Sequence, residues 1–394
     1  MRIDPSWLAL NAPDFGPYAR LDPQRSISLL GADPFAPRAV LPEHVISAVK
    51  DALDAGKTHY STANGFMEPV LKDSLVRKLA SFNGLEVDPE TELIVVPSAA
   101  FGLYMSIRMC VRPNMGDEVL NVDPGFAENF NDVQQIGATS VSVPVYAEDG
   151  YQLRADEVER AITPRTRCIV LTNPNNPTGT VYSRATLEAL ARVVERHDIM
   201  VIVDQAFERQ VYDGIEYVDF ATLPGMWERT ITIFGTSKDL GLSGFRVAYI
   251  AARREIVDVL KLATFNMHGA TNTFAQYGVA AAYDNPAYAD EWVEIFHRRR
   301  EYGQRVLDAV DGVSCPLPDG GFYFWVDVGD LGTAEFVRDH LIDDAQVGVL
   351  PGTMFGTRGH SHLRIMYGAA PDDATFTEGI DRIARSLARL ERVR

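Results

Sequence analysis

The sequence predicts an α/β protein with a large domain built on a mostly parallel sheet and a smaller α+β domain. Short, unbroken apolar segments alternate with segments of helical spacing, which is typical of parallel strands covered by helices on both faces. Polar motifs follow directly after several of these apolar segments. From about Thr273 the alternation ends, and a long helical pattern and a few alternating strands replace it.

In chain order, the large domain is predicted to contain strands at residues 93–96, 118–122, 168–172, 199–203, 230–234 and 247–251. A helix is expected to begin at Ser98. A second helix is expected over residues 185–197, because Leu187, Leu190 and Val194 recur at helical spacing. These short apolar runs, separated by helical segments, are the pattern expected of strands buried on both faces.

In the smaller domain we predict a helix over residues 274–305 and an alternating strand over 320–327, followed by a helix over 333–341. Strands at 347–350 and 363–367 and a terminal helix complete it. The predicted division is residues 1–37 as an N-terminal arm that belongs with the small domain, 38–272 as the large domain and 273–394 as the small C-terminal domain. The arm is rich in proline, at Pro13, Pro17, Pro23, Pro34 and Pro37.

Composition excludes several classes of partner. The 394 residues are 46% hydrophobic and 23% charged, as in an ordinary globular protein, and the net charge is −17. So acidic a chain is a poor partner for nucleic acid or an anionic membrane. Cys110, Cys168 and Cys315 are far apart in the sequence, so we expect no metal site and no disulfide. Without an apparent signal peptide or spanning segment, a cytoplasmic location is expected.

The segment 235–246, GTSKDLGLSGFR, carries the most chemistry. Lys238 directly follows a predicted strand, and Arg246 lies eight residues further on. A lysine that burial keeps partly neutral can form a Schiff base with an aldehyde, and an arginine can bind a phosphate with two parallel hydrogen bonds. Aldehyde and phosphate together describe pyridoxal 5′-phosphate (PLP). The alternative is a solvated loop lysine.

Two further polar motifs follow neighbouring predicted strands. Asn176-Pro-Thr-Gly179 comes after the strand at 168–172, and Asp204 comes after the strand at 199–203. Ligands of open α/β sheets bind at the carboxyl ends of the strands. The sequence therefore predicts one site shared by these residues and Lys238. As alternatives, Asp204 could cap a helix and the asparagine motif could be turn chemistry alone.

The order of these motifs resembles the pattern of the class I/II aminotransferases, which are fold type I pyridoxal-phosphate enzymes. The motifs are, in chain order, the asparagine motif, Asp204, Ser237-Lys238 and Arg246. The resemblance covers nearly the whole chain and is weaker at the arm. The lysine segment is also similar to that of 1-aminocyclopropane-1-carboxylate synthase relatives. The resemblance implies the fold type I of PLP-dependent transferases, pyridoxal 5′-phosphate as cofactor and a homodimer.

The resemblance also implies residue roles at the cofactor. Lys238 would hold the aldehyde and then move the Cα proton, and Asp204 would sit under the pyridine nitrogen. Asn176 would donate to the ring's phenolic oxygen, and Phe126 would stack on the ring. The phosphate would be bound by the segment Ser98, Ala99 and Ala100 at a helix N-terminus, by Ser237 and Arg246, and by Tyr60 of the partner subunit.

For the substrate, the resemblance implies that Arg364 binds the α-carboxylate of an amino acid and that the Gly31 backbone lies beside the substrate. An ordinary turn is the competing interpretation of Gly31. Dicarboxylate-specific relatives use a second arginine between the domains, but residues 255–296 contain none. We therefore expect that aspartate and glutamate are not the principal donors. A 2-oxo acid is the expected second substrate.

Two departures from the family pattern distinguish this chain. Phe207 stands where the family usually has a tyrosine that donates to the phenolic oxygen, and Gly235 stands where a phosphate-binding serine is common. The lost phosphate contact could move to Thr236 or Ser237. His360 and His362 have no third ligand in sight and are interpreted as solvated.

Three functional hypotheses follow. The first is an aminotransferase acting on an L-amino acid. The second is a PLP-dependent eliminating lyase, oxidative deaminase or decarboxylase, because of Phe207, the lysine segment and residues 7–11, which faintly resemble the arms of PLP-dependent amino-acid oxidases. The third, a non-catalytic PLP-binding regulator, is disfavoured by the acidic chain without an appended DNA-binding domain.

Overall fold

A computed structural model describes residues 14–36 and 41–392. Pro13, Pro37 and residues 7–11 lie outside the described residues. The helices are α1 (Glu43–Asp54), α2 (Pro69–Lys78), α3 (Ala99–Cys110), α4 (Ala127–Ile136), α5 (Ala155–Ala161), α6 (Arg184–His197), α7 (Arg254–Met267), α8 (Thr273–Asp284), α9 (Ala287–Asp308), α10 (Ala334–His340) and α11 (Asp373–Leu387).

Seven strands form the main sheet: β2 (Leu93–Val96), β3 (Glu118–Asp123), β4 (Thr139–Pro144), β5 (Thr166–Thr172), β6 (Met200–Gln205), β7 (Thr230–Gly235) and β8 (Ala248–Ala251). Their order is β2-β8-β7-β6-β5-β3-β4, and β8 alone runs antiparallel to the other six strands. Alternate residues of β5 and β6 pack into two different apolar cores, one on each face of the sheet. The predicted mostly parallel sheet covered on both faces is confirmed.

The direction of β8 follows from the connection before it. β7 and β8 are joined by the lysine loop. This loop contains no crossover helix that could return the chain to the amino ends of the strands, as a parallel pair would require. The loop therefore turns back, and β8 pairs antiparallel with β7. The edge strand β4 is missing from the predicted strands. Its sequence TSVSVP alternates and most of its residues are accessible, so it lacks the unbroken apolar signature of the others.

The remaining strands lie in two smaller sheets. β9 (Tyr323–Asp327), β11 (Leu350–Pro351) and β12 (His362–Met366) form an antiparallel sheet in the order β11-β12-β9. β1 (Ile27–Ser28), in the predicted arm, pairs in parallel with β10 (Val347–Gly348). Ile27 and Leu29 share an apolar core with β9, β12 and α11. The assignment of residues 1–37 to the small domain stays a prediction.

Two predicted elements of the C-terminal part are wrong in detail. The single helix over 274–305 is two helices, α8 and α9, which are separated at Asn285 and Pro286. Proline lacks the N–H that a continuing helix needs. The single strand over 347–350 is divided between β10 and β11, which belong to different sheets.

The boundary between residues 272 and 273 stays a prediction. α8 lies just beyond that boundary and packs against α1 and α2. Its apolar side chains share a core with β2 and β8 of the main sheet, not with the small sheet. Within residues 14–36 and 41–392, no helix combines the length and apolarity needed to cross a lipid bilayer.

Candidate active site

A cavity of about 430 Å³ opens at the carboxyl ends of β5, β6 and β7. Thr172, Asp204 and Gly235, near the ends of these three strands, line it. The parallel strands thus bring together side chains that are far apart in the sequence. The cavity also contains most of the predicted site residues: Ser98, Ala99, Ala100, Phe126, Asn176, Asp204, Phe207, Ser237, Lys238, Arg246 and Arg364.

Lys238 extends into this cavity from the loop after β7. Its side chain is 23% exposed, and its Nζ lies 3.7 Å from Asp33 Oδ1. Burial lowers the pKa of Lys238, while Asp33 acts in the opposite direction. A lysine whose neutral form is favoured by its surroundings is suited to nucleophilic attack on an aldehyde. The solvated-loop alternative does not describe this side chain.

Asp204, the penultimate residue of β6, is a buried carboxylate facing the cavity. Its Oδ1 has no hydrogen-bond partner among the described residues, and neither does Thr172 Oγ1 on the paired position of β5. Burial, and to a smaller extent the charge of the nearby Glu128, raise the pKa of Asp204 to about 7. An unpartnered buried carboxyl is costly unless something else binds it, so this oxygen indicates a missing hydrogen-bonding group.

Arg364 and Asn176 meet at another side of the cavity. Arg364 Nη1 donates to Asn176 Oδ1 at 3.1 Å, which leaves the asparagine's amide nitrogen as a donor. The guanidinium lies 4.5 Å from the centre of the Phe355 ring, and burial lowers the pKa of Arg364 to about 10. Its Nε is buried and unpartnered among the described residues. Arg364 therefore retains donors for an anionic group.

The turn that carries Asn176 has little freedom. Asn175 N donates to Thr180 O, and Gly179 N donates to Asn175 O, each at 2.8 Å. Gly179 has a φ of +73°, and a Cβ there would lie 2.4 Å from Pro318 Cβ. A glycine is required at this position, so the turn-chemistry alternative for the motif holds together with its place at the cavity.

Small polar and cationic groups line the cavity beside the start of α3. Ser98 caps that helix, with its Oγ accepting from Phe101 N at 3.0 Å, and the first N–H groups of α3 follow it. Ser237, Ser243 and Arg246 are on the lysine loop and also line the cavity. Thr236 does not, because it is buried and its hydroxyl donates to Val247 O at 2.6 Å. Of the two predicted replacements for a serine at Gly235, only Ser237 lies at the cavity.

The aromatic residues Phe126 and Phe207 line the same cavity. Phe207 packs edge-on against Phe322 and Tyr323, with ring centres 5.3 and 5.2 Å away. Its position is therefore set by the apolar core of the small sheet.

Two predicted site residues are not in the cavity lining. Gly31 is exposed, and a Cβ added at this glycine would have no neighbour within 4 Å. The next residues, Ala32 and Asp33, do line the cavity. Tyr60 is 79% exposed and lines a separate surface cavity with residues 57–59, 62 and 270–274. The two cavities are linked through Thr271, whose hydroxyl donates to Arg246 O at 2.9 Å.

Sequence reasoning missed two carboxylates of the cavity, Asp33 and Glu128. Glu128 is accessible from the cavity, yet the protein surrounding the rest of its side chain raises its pKa. One helical turn further along α4, burial and the charge of Glu128 raise the pKa of Asp132 to about 7. No motif marks either cavity acid, because their role depends on which side of a loop or helix meets the cavity.

A buried layer of charged side chains contacts the two loops that carry Phe207 and Lys238. Lys78 pairs with Glu208, and Asn83 Nδ2 donates to Glu208 Oε2 at 2.8 Å. Arg209 N donates to Asp239 Oδ2 at 3.3 Å. Phe207 and Lys238 are each adjacent in sequence to a member of this layer, which ties their two loops together. These contacts are also beyond sequence reasoning.

The interpretation of His362 as solvated is wrong. His362 begins β12, and its ring stacks on Trp325 with centres 4.7 Å apart. Burial lowers its pKa. In the part of the chain that the structure describes, no group of three or more His, Cys, Asp or Glu side chains could hold a metal ion.

The residues of the cavity fit pyridoxal 5′-phosphate. The unpartnered Asp204 Oδ1 can accept from a protonated pyridine nitrogen, and Phe126 offers an aromatic face. Arg246, the serines and the N-terminus of α3 supply donors for a phosphate. Lys238 supplies the amine for the aldehyde.

Comparison with known proteins identifies the family. A sequence model described as aminotransferase class I and II matches residues 32–383. The chain belongs to the class I and II aminotransferase family. It is 34% identical to aromatic-amino-acid aminotransferase 2 of Thermococcus litoralis over 354 residues, and 33% identical to an aspartate aminotransferase of Pyrococcus abyssi over 354 residues; each match covers 88% of both chains.

The fold agrees with this membership. The crystal structure of the aspartate aminotransferase from Rhizobium meliloti superposes with a TM-score of 0.90 at 29% identity, covering 99% of this chain and 100% of that one. The class I and II aminotransferases use pyridoxal phosphate and have fold type I. The chain is therefore an enzyme, a PLP-dependent aminotransferase, and the predicted fold class and the first functional hypothesis are confirmed. The regulator hypothesis is not supported.

Proposed function

We propose that the cavity around Lys238 binds pyridoxal 5′-phosphate and moves an amino group from an L-amino acid to a 2-oxo acid. The observation that carries this proposal is the unpartnered buried carboxylate of Asp204 in one cavity with a partly buried lysine. When bound, pyridoxal phosphate supplies an aldehyde for the amine and a ring that stabilises negative charge at Cα.

Each of the other groups has a distinct role in this proposal. Asp204 holds a proton at the pyridine nitrogen, and Lys238 Nζ carries the proton that leaves the substrate's Cα. Asn176 donates its amide N–H to the phenolic oxygen. Phe207 has no hydroxyl and packs in an apolar environment, so it adds no second donor there.

Arg364 is proposed to bind the α-carboxylate. With a pKa of about 10 it keeps its charge at neutral pH, and its contact with Asn176 fixes the guanidinium plane. A planar guanidinium and a carboxylate form two parallel hydrogen bonds, which position the substrate as well as bind it. Gly31, next to the cavity-lining Ala32, is proposed to approach the substrate through its backbone.

The enzyme is proposed to act as a homodimer. Tyr60 is largely exposed, which suits a residue that completes the phosphate site of a second copy. An exposed apolar face on α7, formed by Val259, Leu262, Phe265 and Met267, leads directly into the segment that lines the Tyr60 cavity. Exposed apolar patches of this kind mark surfaces that bind another protein.

A half-reaction tests the proposal. Purified holoenzyme mixed with a suitable L-amino acid and no oxo acid should lose the absorbance of the aldehyde form and accumulate pyridoxamine phosphate. Adding a 2-oxo acid should restore the starting spectrum. An enzyme that releases ammonia and returns to the aldehyde form without an oxo acid would contradict the proposal and favour the lyase or oxidative alternative.

A further inference from the structure

The cavity holds a balanced set of charges. Its lining contains three acidic and three basic side chains: Asp33, Glu128, Asp204, Lys238, Arg246 and Arg364. If the proposed function is correct, Asp204 binds the pyridine nitrogen, Arg246 the phosphate and Arg364 the α-carboxylate. Lys238 must be neutral both to bind the cofactor's aldehyde and to accept the proton from the substrate's Cα, so it supplies no lasting positive charge. Among the lining residues, the charges that remain are the carboxylates of Asp33 and Glu128.

Asp33 lies beside the position where the reaction occurs. Its Oδ1 is 3.7 Å from Lys238 Nζ, so it is near any amino acid that reacts there. Its side chain is 53% exposed, and the aspartate can therefore change partners without a large cost in burial. Once the lysine charge is removed, the Asp33 carboxylate has lost the cation with which the structure pairs it.

Glu128 reaches the cavity from the first turn of α4. The described residues offer its carboxylate no ion pair, and the hydrogen bond that affects its pKa comes from its own backbone N–H. Its charge acts on both Arg364 and Lys238, which places it within electrostatic reach of the two groups that would hold the substrate. A carboxylate that faces a ligand cavity without a protein cation suits a cationic ligand.

We propose that Asp33 and Glu128 select amino-acid donors with a positively charged side chain. This inference rests on the proposed function and specifies its substrate class. A cationic side chain would take the place of the Lys238 ammonium beside Asp33, and it would form charge-assisted hydrogen bonds with the two carboxylates. A neutral side chain would leave both carboxylates hydrated but unpaired.

A dicarboxylate fits this charge distribution poorly. Its second carboxylate would lie with Asp33 and Glu128, and like charges in a confined site repel. Arg246 and Arg364 are already used by the phosphate and the α-carboxylate. The segment 255–296 contains no arginine, so a second copy of the chain would bring none from this segment either.

The test measures binding of inert substrate analogues to the holoenzyme. α-Methyl amino acids have no Cα proton, so affinity can be read by calorimetry without turnover. α-Methylornithine, α-methylnorleucine and α-methylglutamate differ mainly in the charge at the end of the side chain. We expect the ornithine analogue to bind about tenfold tighter than the norleucine analogue, as one charge-assisted contact would give, and the glutamate analogue to bind most weakly.

Two variants assign the preference to residues. Asp33→Asn and Glu128→Gln keep the shape of each side chain, and each should reduce the ratio between the ornithine and norleucine affinities by about threefold or more. Asp54→Asn is the matched control, because Asp54 is an exposed carboxylate at the end of α1, outside the cavity lining. It should leave the ratio unchanged. Each variant is interpreted alone, so misfolding of one leaves the other as a test.

The outcomes separate the two proposals. If the norleucine or glutamate analogue binds as tightly as the ornithine analogue, or if the preference survives both substitutions, charge selection by these carboxylates is overturned while the aminotransferase site stands. If the protein binds neither pyridoxal phosphate nor any analogue, the proposed function itself fails, and the inference fails with it.

Discussion

Asp204 lies in surroundings that disfavour its own charge. It is buried at the end of β6, one of its oxygens has no partner among the described residues, and its pKa is raised to about 7. A fold does not gain stability from such a group. The unfavourable environment becomes useful when a protonated nitrogen binds the carboxylate, so this residue connects the cost of the site with its function.

The pH dependence of stability tests this residue. A folded-state pKa near 7, against about 3.9 in the unfolded chain, means that the folded state binds the proton more tightly. The cofactor-free protein should therefore lose stability through this group as the pH rises from about 4 to about 7. Asp204→Asn removes the titration, so the variant should melt a few degrees higher than the wild type at pH 8.

Thermal unfolding of both cofactor-free proteins at pH 5 and pH 8 measures the difference. Asp132, with a pKa of about 7, contributes the same trend to both proteins and cancels in the comparison. The Asp204 variant should also bind pyridoxal phosphate more weakly. Melting curves that shift in parallel with pH would show that the Asp204 carboxylate does not destabilise the folded state.

Among the elements, α3 joins stability to ligand binding. Ser98 caps this helix through its Oγ, and the N-terminal N–H groups of the same helix lie at the cavity. Ser98→Ala should reduce the free energy of unfolding by about 1 kcal/mol, because it removes a cap. Ser98→Thr should retain most of it. Denaturant unfolding of the cofactor-free protein checks the pair, and equal losses in both variants would contradict the capping role.

The central strands could be predicted from the sequence because their residues are nearly all apolar. The site motifs could be predicted because polar or ionisable residues stand where the apolar runs stop. The strand predicted at 230–234 is β7 within one residue, and Lys238 follows it as predicted. Asp204, predicted to follow a strand, is the penultimate residue of β6. The carboxyl ends of parallel strands lie at the same end of the sheet, so the sequence pattern alone predicted that these side chains share one cavity.

Other features depend on three-dimensional contacts that no local pattern contains. The break between α8 and α9 had a visible signal in Pro286, but the helical spacing on both sides concealed it. Asp33 and Glu128 are ordinary acids in the sequence, and only the facing of their loop and helix brings them into the cavity. Lys78 and Glu208 are far apart in the chain and meet only in the folded core.

At the scale of the whole molecule, the exposed apolar face of α7 is the surface on which the proposed homodimer rests. Leu262 is 67% exposed and Phe265 61%, and Phe265 stacks on Phe66 with ring centres 6.1 Å apart. Side chains of this kind on one face of a helix usually meet another surface. Because this face continues towards Tyr60, loss of the dimer should also affect the phosphate site.

Leu262→Glu tests the interface. A charge in the centre of an apolar contact should shift the protein towards monomer, as measured by sedimentation, and weaken binding of pyridoxal phosphate at the same time. Met115→Glu is the control, since Met115 is 66% exposed and lies on the loop between α3 and β3, not on α7. A Leu262 variant that remains dimeric, or a monomer that retains full cofactor affinity, would argue against a shared site.

Covalent trapping of the cofactor tests the central claim most directly. The purified protein is loaded with pyridoxal phosphate, reduced with borohydride and digested, and the modified peptide is identified by mass spectrometry. We predict a single reduced adduct on Lys238, at the loop after β7, and no stable adduct in Lys238→Ala. An adduct on another lysine, such as Lys57 or Lys78, or an unchanged adduct in the variant, would contradict the assignment of this cavity as the active site.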